Sequence, residues 1–198
     1  MGLVRRNAEP QPDAGAPPVE DLLTGLDDPD PERRRETALG LDGVPAGVLP
    51  LLARVGSEPE ARVRDAMLTT LAGHDTPEVA ETLAAHLASD DAALRTAVAE
   101  TLATMPRSVP ALIPRLLAAP DHDVRVMTAM ILADLPHPDS LTRLIEIIRD
   151  DPHPNVVATA VDALLPSLGP QHEQLLRAVV RRFPDDPFLR FTVEAALR

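Results

Sequence analysis

The sequence predicts an all-α fold, an α-α superhelix of about six helix-pair units. An anchor position recurs at steps of 30, 31, 30, 32 and 33 residues, occupied by Arg34, Arg64, Arg95, Arg125, Val157 and Arg190. Seven residues after each anchor stands a leucine: Leu41, Leu71, Leu102, Leu132, Leu164 and Leu197. A fixed period of this size is typical of a stacked array, in which each unit buries its apolar face against its neighbours. No segment shows sustained strand alternation.

Composition excludes several kinds of chemistry. The chain has 31 acidic and 19 basic residues and a net charge of −12, which disfavours a nucleic-acid partner because phosphate binding needs a basic face. All the basic residues are arginine, and the chain contains no Lys, Cys, Tyr or Trp. Schiff-base lysines, thiol nucleophiles and cysteine zinc sites are therefore absent. We expect no catalytic site and no cofactor.

The chain divides into a short tail and a long repeat region. Residues 1–18 include Pro10, Pro12 and Pro17 and almost no large apolar residue after Val4, so a disordered, Pro-rich tail is expected. Residues 19–198 form the solenoid. No apolar run approaches the ~20 residues that cross a membrane, and the N-terminus lacks an apolar signal core. We therefore expect no membrane association and a cytoplasmic location.

Each unit is predicted to consist of a first helix (A), a turn and a second helix (B). A short helix at 19–26 matches the B helix of later units and indicates a half-repeat cap at the start. The predicted A helices are 31–41, 59–72, 91–103, 121–135, 154–168 and 186–197. The predicted B helices are 46–55, 77–88, 109–118, 138–149 and 170–182. The B helices carry apolar stripes at helical spacing, such as Leu112, Ile113, Leu116 and Leu117.

Glycine and proline mark the helix ends. Gly43, Gly73 and Gly169 are predicted to end A helices in the left-handed conformation. Pro50 and Pro114 fall inside or early in B helices. If those helices begin later than predicted, the prolines lie in a first turn; otherwise they produce kinks.

The pattern resembles the HEAT-repeat family, specifically its short-unit, bilin-lyase-like type. The resemblance rests on the acidic turns, on Val63-Arg64, Leu94-Arg95, Val124-Arg125 and Leu189-Arg190, and on the small and leucine positions that follow. It covers residues 19–198 and implies a solenoid whose concave face is lined by B helices. The fifth unit departs from it, because Val157 replaces arginine there.

Two interpretations of the anchor arginines stay open. Most anchors have an acidic residue four to six positions earlier, as with Asp28 before Arg34 and Asp121 before Arg125. The arginines then form a structural ladder, each bonding the acidic turn or the last carbonyls of an adjacent unit. Alternatively, they bind anions. The ladder is the favoured interpretation.

The six histidines do not predict a metal site. His122, His137 and His153 lie in turns near aspartates, and two or three of them could approach one another and hold a metal. Solvent-exposed turn histidines are the favoured interpretation. A HEAT-like di-iron hydroxylase would need His-Glu pairs in several units, and His172-Glu173 is the only such pair.

Two groups of residues are candidates for binding a partner. Phe183, Phe188 and Phe191 are the only aromatic residues; they either close the core at the C-terminal end or present Phe188 as an exposed anchor. The second group is a row of B-helix arginines expected on the inner, concave face, where their guanidinium groups can bind carboxylates and phosphates. Its members are Arg54, Arg115, Arg143, Arg149, Arg177 and Arg181. Ordinary solvated helix charge is the alternative interpretation of this row.

The expected function is a non-catalytic adaptor or scaffold that binds another protein along the solenoid. The chain is expected to be a monomer on its own. The alternative, implied by the resemblance to bilin-lyase-like repeats, is an assembly or maturation factor for a cofactor-containing protein.

Overall fold

The computed structural model describes residues 18–196, which form α-helices, short 3-10 turns and loops, with no strand in that range. The A helices are α2 (Pro31–Gly40), α4 (Ala61–His74), α6 (Ala92–Ala103), α8 (His122–Asp134), α10 (Pro154–Leu164) and α12 (Pro187–Ala196). The B helices are α1 (Val19–Gly25), α3 (Val48–Val55), α5 (Pro77–Ala84), α7 (Ile113–Leu117), α9 (Ser140–Asp150) and α11 (Glu173–Arg182). The all-α prediction is confirmed. The tail predicted at 1–18 lies, except for Pro18, outside the described residues.

The A helices form one layer of a stack. Each A helix packs against the next in chain order, from α2 to α12, and each B helix packs against the A helix that follows it. The A and B helices alternate and are joined by short connections, and stacking each pair on the next buries every apolar stripe. The repeat period therefore becomes a repeat in space, with each unit contacting its neighbours.

The core follows the leucine seven positions after each anchor. Leu41, Leu71, Leu102 and Leu164 are fully buried, and Leu132 is 3% exposed. The sixth such leucine, Leu197, lies outside the described residues. These side chains belong to one continuous apolar cluster that runs from Leu22 to Val193.

Several B helices begin later than predicted. Short 3-10 turns at Pro45–Gly47, Val109–Ala111 and Pro170–His172 precede α3, α7 and α11. Pro50 is consequently the third residue of α3, and Pro114 the second of α7. Both prolines lie in a first turn, where the missing N–H has no intrahelical partner to lose. The late-start alternative is the correct one.

The prediction that three glycines end helices in the left-handed conformation holds only for Gly43, which has a φ of +69°. Gly73 instead lies inside α4, and the residue after that helix, Asp75, has a φ of 22°. Gly169 has an extended backbone with a φ of −152°. The Asp75 carboxylate bonds the next unit: it accepts hydrogen bonds from the backbone N–H groups of Arg107 and Ser108 at 3.0 and 3.1 Å.

Candidate protein-binding site

The anchor arginines share one local contact. In every unit that has an anchor arginine, the guanidinium donates to the backbone carbonyl six residues earlier. The pairs are Arg34–Asp28, Arg64–Glu58, Arg95–Ser89, Arg125–Ala119 and Arg190–Pro184, at 2.6 to 3.5 Å. These carbonyls lie just after the preceding B helix. Each arginine therefore fastens the start of its A helix to the turn that leads into it.

Three anchors also reach a carboxylate of the following unit. The Nε and Nη2 atoms of Arg125 donate to Asp151 at 2.7 and 3.3 Å. Arg64 Nη1 lies 3.3 Å from Asp91 Oδ2. Arg34 makes the third such contact, to Glu58. These bonds join successive units through charge, in addition to the apolar core.

Glu58 is the most buried acid of this ladder, with a fully buried side chain. It accepts from Arg34 Nη2 and Nε at 2.8 and 3.0 Å, and from Arg54 Nε at 3.3 Å. Burial by itself would raise the pKa of Glu58, but hydrogen bonds from Arg34, the Glu60 amide and Arg54 together lower this pKa below its usual value. The carboxylate stays charged because two guanidinium groups surround it.

The unit without an anchor arginine receives one from another helix. Val157, at the anchor position, is fully buried. The carbonyl six residues before it belongs to Asp151, and Arg182 of α11 donates to that oxygen at 3.1 Å. Arg182 also donates to Ile148 O at 2.9 Å and to the carbonyl of Arg149. A guanidinium thus satisfies the C-terminal carbonyls of α9, where the helix dipole favours positive charge.

The B-helix arginines proposed as a binding row are mostly engaged by carboxylates of the same chain. Arg54 Nη1 lies 2.6 Å from Asp27, and Arg115 pairs with Glu81 of the preceding unit. The remaining pairs join residues of the same helix that are one to four positions apart: Arg143–Glu146, Arg149–Asp150 and Arg177–Glu173. Arg181 has no ion pair among the described residues. The row is therefore largely neutralised, although exposed pairs of this kind contribute little and exchange easily.

Three of the six histidines bond backbone amides. His137, His153 and His172 each accept an N–H at Nδ1, from Asp139, Asn155 and Gly169. The structure brings His122 and His153 together, with stacked rings 3.9 Å apart and 19° between their planes. Lone pairs in parallel rings point along the planes and do not converge on one ion. Asp121, His122 and Asp123 lie close enough to share an ion, but these residues stand in an exposed turn.

Two phenylalanines form the most exposed aromatic surface of the molecule. Phe188 is 62% exposed and Phe191 is 67% exposed, both on α12. Together with exposed Ala195 they are spaced i, i+3 and i+7, so they lie along one side of the helix. We call Phe188, Phe191 and Ala195 the aromatic edge. Phe183 differs: it is partly buried against the core, and the Arg182 guanidinium lies 4.6 Å from its ring centroid.

The aromatic edge lies on the side of α12 that corresponds to the inter-unit side of earlier A helices. Between α4 and α6, Asp65, Leu68 and Thr69 line a groove opposite Ala97 and Thr101. Asp65, Leu68 and Thr69 stand one, four and five positions after the anchor Arg64. The equivalent residues of α12 are Phe191, Glu194 and Ala195.

Glu194 makes this side of α12 unlike the others. The position four residues after the anchor is apolar and at most 3% exposed in every earlier unit: Ala38, Leu68, Ala99, Ala129 and Val161. Glu194 is exposed. Stacking another unit in the usual way would bury this carboxylate, which is costly unless the carboxylate is paired. Helix α12 therefore combines a polar residue at the stacking position with an exposed aromatic edge.

A helical repeat array with these features is a solenoid of helix pairs. The chain belongs to the HEAT-repeat family, since the family model described as HEAT repeats matches residues 19–103 and 109–198. The expected family is confirmed, although nothing supports the bilin-lyase-like subtype. No curated protein matches the chain.

Three solved structures are similar in fold only. Two are engineered proteins, each 18% identical to this chain over 90% of its length. The matches cover 94% and 96% of the engineered chains, with TM-scores of 0.42 and 0.43. The third is human deoxyhypusine hydroxylase in complex with glycerol, 16% identical over 90% of this chain and 83% of its own, with a TM-score of 0.38. Within residues 18–196, no helix has both the length and the apolar character needed to cross a bilayer.

Sequence reasoning expected the anchor arginines to bond adjacent units, but it missed two contacts between units that other arginines make. Glu81 and Arg115 are 34 residues apart, and Arg182 lies 31 residues from Asp151. The only signal near the second contact was Val157, which stands where the other units have an anchor arginine. The sequence left open whether the phenylalanines close the core or present Phe188 as an exposed anchor; in the structure Phe188 and Phe191 are exposed and Phe183 is partly buried.

Proposed function

We propose that this chain is a non-catalytic adaptor that binds another protein through the aromatic edge of α12. The observation that carries the proposal is the exposure of Phe188 and Phe191, each more than 60% accessible. Burying one such side chain contributes about 1.5–3 kcal/mol, and aromatic residues supply much of the energy of protein interfaces. Two of them on one side of a helix supply the energetic centre of the proposed contact.

The B-helix arginine row is the second candidate surface for the same function. Its members already have carboxylate partners, so a protein that binds there has to displace them. The exposed pair between Arg115 and Glu81 shows the required chemistry, because both side chains are about half exposed or more. An acidic partner could take the place of Glu81. Such a contact weakens as salt rises.

The experiment is capture of partners from the source cell with the full chain as bait. We expect Phe188→Glu combined with Phe191→Glu to lose a partner that the wild-type chain retains, with an unchanged far-UV circular dichroism spectrum. Arg115→Glu tests the arginine row, with Arg62→Glu, at an exposed arginine of the A helix α4, as its control.

Each outcome is decisive. Retention of every partner by the double phenylalanine variant would remove the aromatic edge from the proposal. Selective loss with Arg115→Glu would move the site to the row. If the wild-type chain captures nothing under conditions that preserve its fold, the adaptor function is wrong.

The function in assembly or maturation of a cofactor-containing protein remains a prediction. It is distinguished by the captured partner itself, which would carry a pigment or a metal. A cytoplasmic location and the absence of a nucleic-acid partner likewise remain predictions.

A further inference from the structure

We propose that the aromatic edge also binds a second copy of this chain, with the two α12 helices antiparallel across a two-fold axis. This inference rests on the proposed function, because it names a partner for the same surface. It departs from the expectation of a monomer. The argument comes from the arrangement of large, small and charged residues along α12.

The apolar residues of the edge are self-complementary in an antiparallel arrangement. Phe188 lies near the beginning of α12 and Ala195 near its end, with Phe191 between them. Two antiparallel copies place the large Phe188 of one chain beside the small Ala195 of the other, twice. Phe191 of each copy then lies near the axis, where the two rings can pack against each other. A parallel arrangement would instead set Phe188 against Phe188 and leave Ala195 facing Ala195.

The charges beside the edge match in the same arrangement. Arg190 and Glu194 are both exposed and stand one turn apart on the side of α12 next to Phe191. In an antiparallel pair, Arg190 of each copy faces Glu194 of the other, which gives two symmetric ion pairs. Arg190 already donates through Nη2 to Pro184 O at 2.6 Å, and this bond holds the side chain near the helix. A two-fold contact of this kind is closed and does not propagate.

Continued stacking of the array is a poorer explanation of the edge. A second copy that stacked its first unit on α12 would bury Glu194 where all earlier units have an apolar residue. It would also leave Phe188 outside the contact, because the equivalent positions, such as Arg62 and Asn155, are exposed within the array. The antiparallel pairing uses both phenylalanines and gives Glu194 a partner.

The expected dimer is weak. The helix α12 has ten residues and is therefore about 15 Å long. A contact of that length is expected to fall below the roughly 1,200 Å² of total buried surface at which standard interfaces begin. Dimer should form at high protein concentration and dissociate on dilution.

The test is sedimentation equilibrium of the full chain over a wide concentration range. We expect the average mass to rise from one chain towards two and no further. Phe191→Glu should weaken dimerisation at least about tenfold, as expected for the loss of a central aromatic residue. Leu49→Glu is the matched control, since Leu49 is 64% exposed on α3, far along the chain from α12.

Charge exchange tests the antiparallel geometry itself. Arg190→Glu and Glu194→Arg should each weaken the dimer, because each places like charges opposite each other. The double variant carrying both changes should restore it, since every Arg again faces a Glu. All these side chains are exposed, and unchanged circular dichroism checks that the variants fold. A double variant as weak as the single ones would overturn the proposed geometry.

The remaining outcomes separate this inference from the proposed function. A wild-type chain that is monomeric at every concentration overturns the dimer, and so does a dimer that responds to Leu49→Glu but not to Phe191→Glu. If the aromatic edge captures another protein while the chain stays monomeric, the adaptor function stands and the dimer is wrong. If the chain dimerises as expected and captures no other protein, the dimer stands and the adaptor function is wrong.

Discussion

At the scale of single residues, the buried Glu58 carboxylate is neutralised by two guanidinium groups. Glu58 has no contact with solvent and depends on Arg34 and Arg54 for its charge. Its carboxylate also accepts the Glu60 amide at 3.1 Å, so side-chain and backbone donors surround it. Such a group stabilises the fold only while it is ionised, and stability should therefore respond to acid.

The first prediction concerns pH. The pKa of Glu58 is lower in the folded chain than in the unfolded chain, so the unfolded state binds the proton first as the solution is acidified. Its contribution is complete above the unfolded value of about 4.3 and is lost as pH falls through the folded value. We expect Glu58→Gln to be less stable than wild type near neutrality and to lose less of its stability below about pH 4.

The measurement is the denaturant midpoint as a function of pH. Glu36→Gln is the control, because Glu36 is an exposed acid on α2. A Glu58→Gln curve parallel to that of wild type across the acidic range would contradict the prediction.

The second prediction concerns Leu132. It is 3% exposed and lies on α8, which packs against both α6 and α10, so Leu132→Ala removes packed methyl groups and leaves a cavity. We expect a loss of ~2–5 kcal/mol in the free energy of unfolding. Denaturant melting measures it, with Leu141→Ala, a 40% exposed leucine on α9, as the control. A loss within ~0.5 kcal/mol would mean that this side of α8 is not core.

At the scale of elements, the sequence located the A helices well and the B helices less well. The anchor and the leucine seven residues later fall on opposite ends of one helix, so the period alone places each A helix. B helices such as α7 have only five residues, preceded by the 3-10 turn Val109–Ala111. Helical spacing cannot distinguish a 3-10 turn from the first turn of an α-helix over so few residues. Proline at 110 and 114 gave the only indication.

The candidate surface was harder to predict than the helices. Exposure of Phe188 depends on which side of α12 lacks a neighbour, and this is decided by packing between distant segments. The arginine row was predicted from spacing within B helices, whereas its carboxylates come partly from other units, as with Arg115 and Glu81. Contacts between residues more than 30 positions apart leave no local signal in one sequence.

The third prediction concerns the end of α9. Arg182→Ala removes hydrogen bonds to the carbonyls of Ile148, Arg149 and Asp151, which belong to the last turn of α9 and the residue after it. We expect a loss of about 1–3 kcal/mol in the free energy of unfolding, since hydrogen bonds from a charged donor contribute about 1.5–3 kcal/mol and this side chain is partly solvated. Arg182→Lys should recover part of the loss, because it keeps the charge without the planar fork.

Arg181→Ala is the matched control for this experiment. Arg181 is the exposed neighbour on the same helix and makes no side-chain hydrogen bond within residues 18–196. Equal stability of the Arg181 and Arg182 variants in denaturant melts would mean that the guanidinium does not cap α9.

For the whole molecule, stability is a sum of contributions from neighbouring units. The A helices contact their neighbours in chain order, so a local defect is expected to spread to adjacent units and weaken with distance. This differs from a globular domain, in which elements far apart in the chain pack against each other.

The fourth prediction tests that locality. Arg34→Ala leaves the buried Glu58 with one fewer guanidinium and should cost about 3–5 kcal/mol, the range for breaking a buried ion pair. Hydrogen exchange should show the lost protection in α2 to α4, with α10 little changed. Arg33→Ala is the control, since that side chain is 71% exposed. Equal loss of protection in α4 and α10 would show that the array unfolds as one unit.

The arginine ladder also bears on how such an array changes its length. The carboxylate of a neighbouring unit stands 24, 27 or 26 residues after its arginine, always less than one period. Because each pair spans less than one period, a duplicated segment one period long can carry the arginine together with its carboxylate. The array can then gain such a unit without leaving its buried charge alone. The fifth unit is the exception: its donor, Arg182, lies 31 residues after Asp151, so a deletion that includes Arg182 would remove the guanidinium that reaches this turn in place of an arginine at Val157.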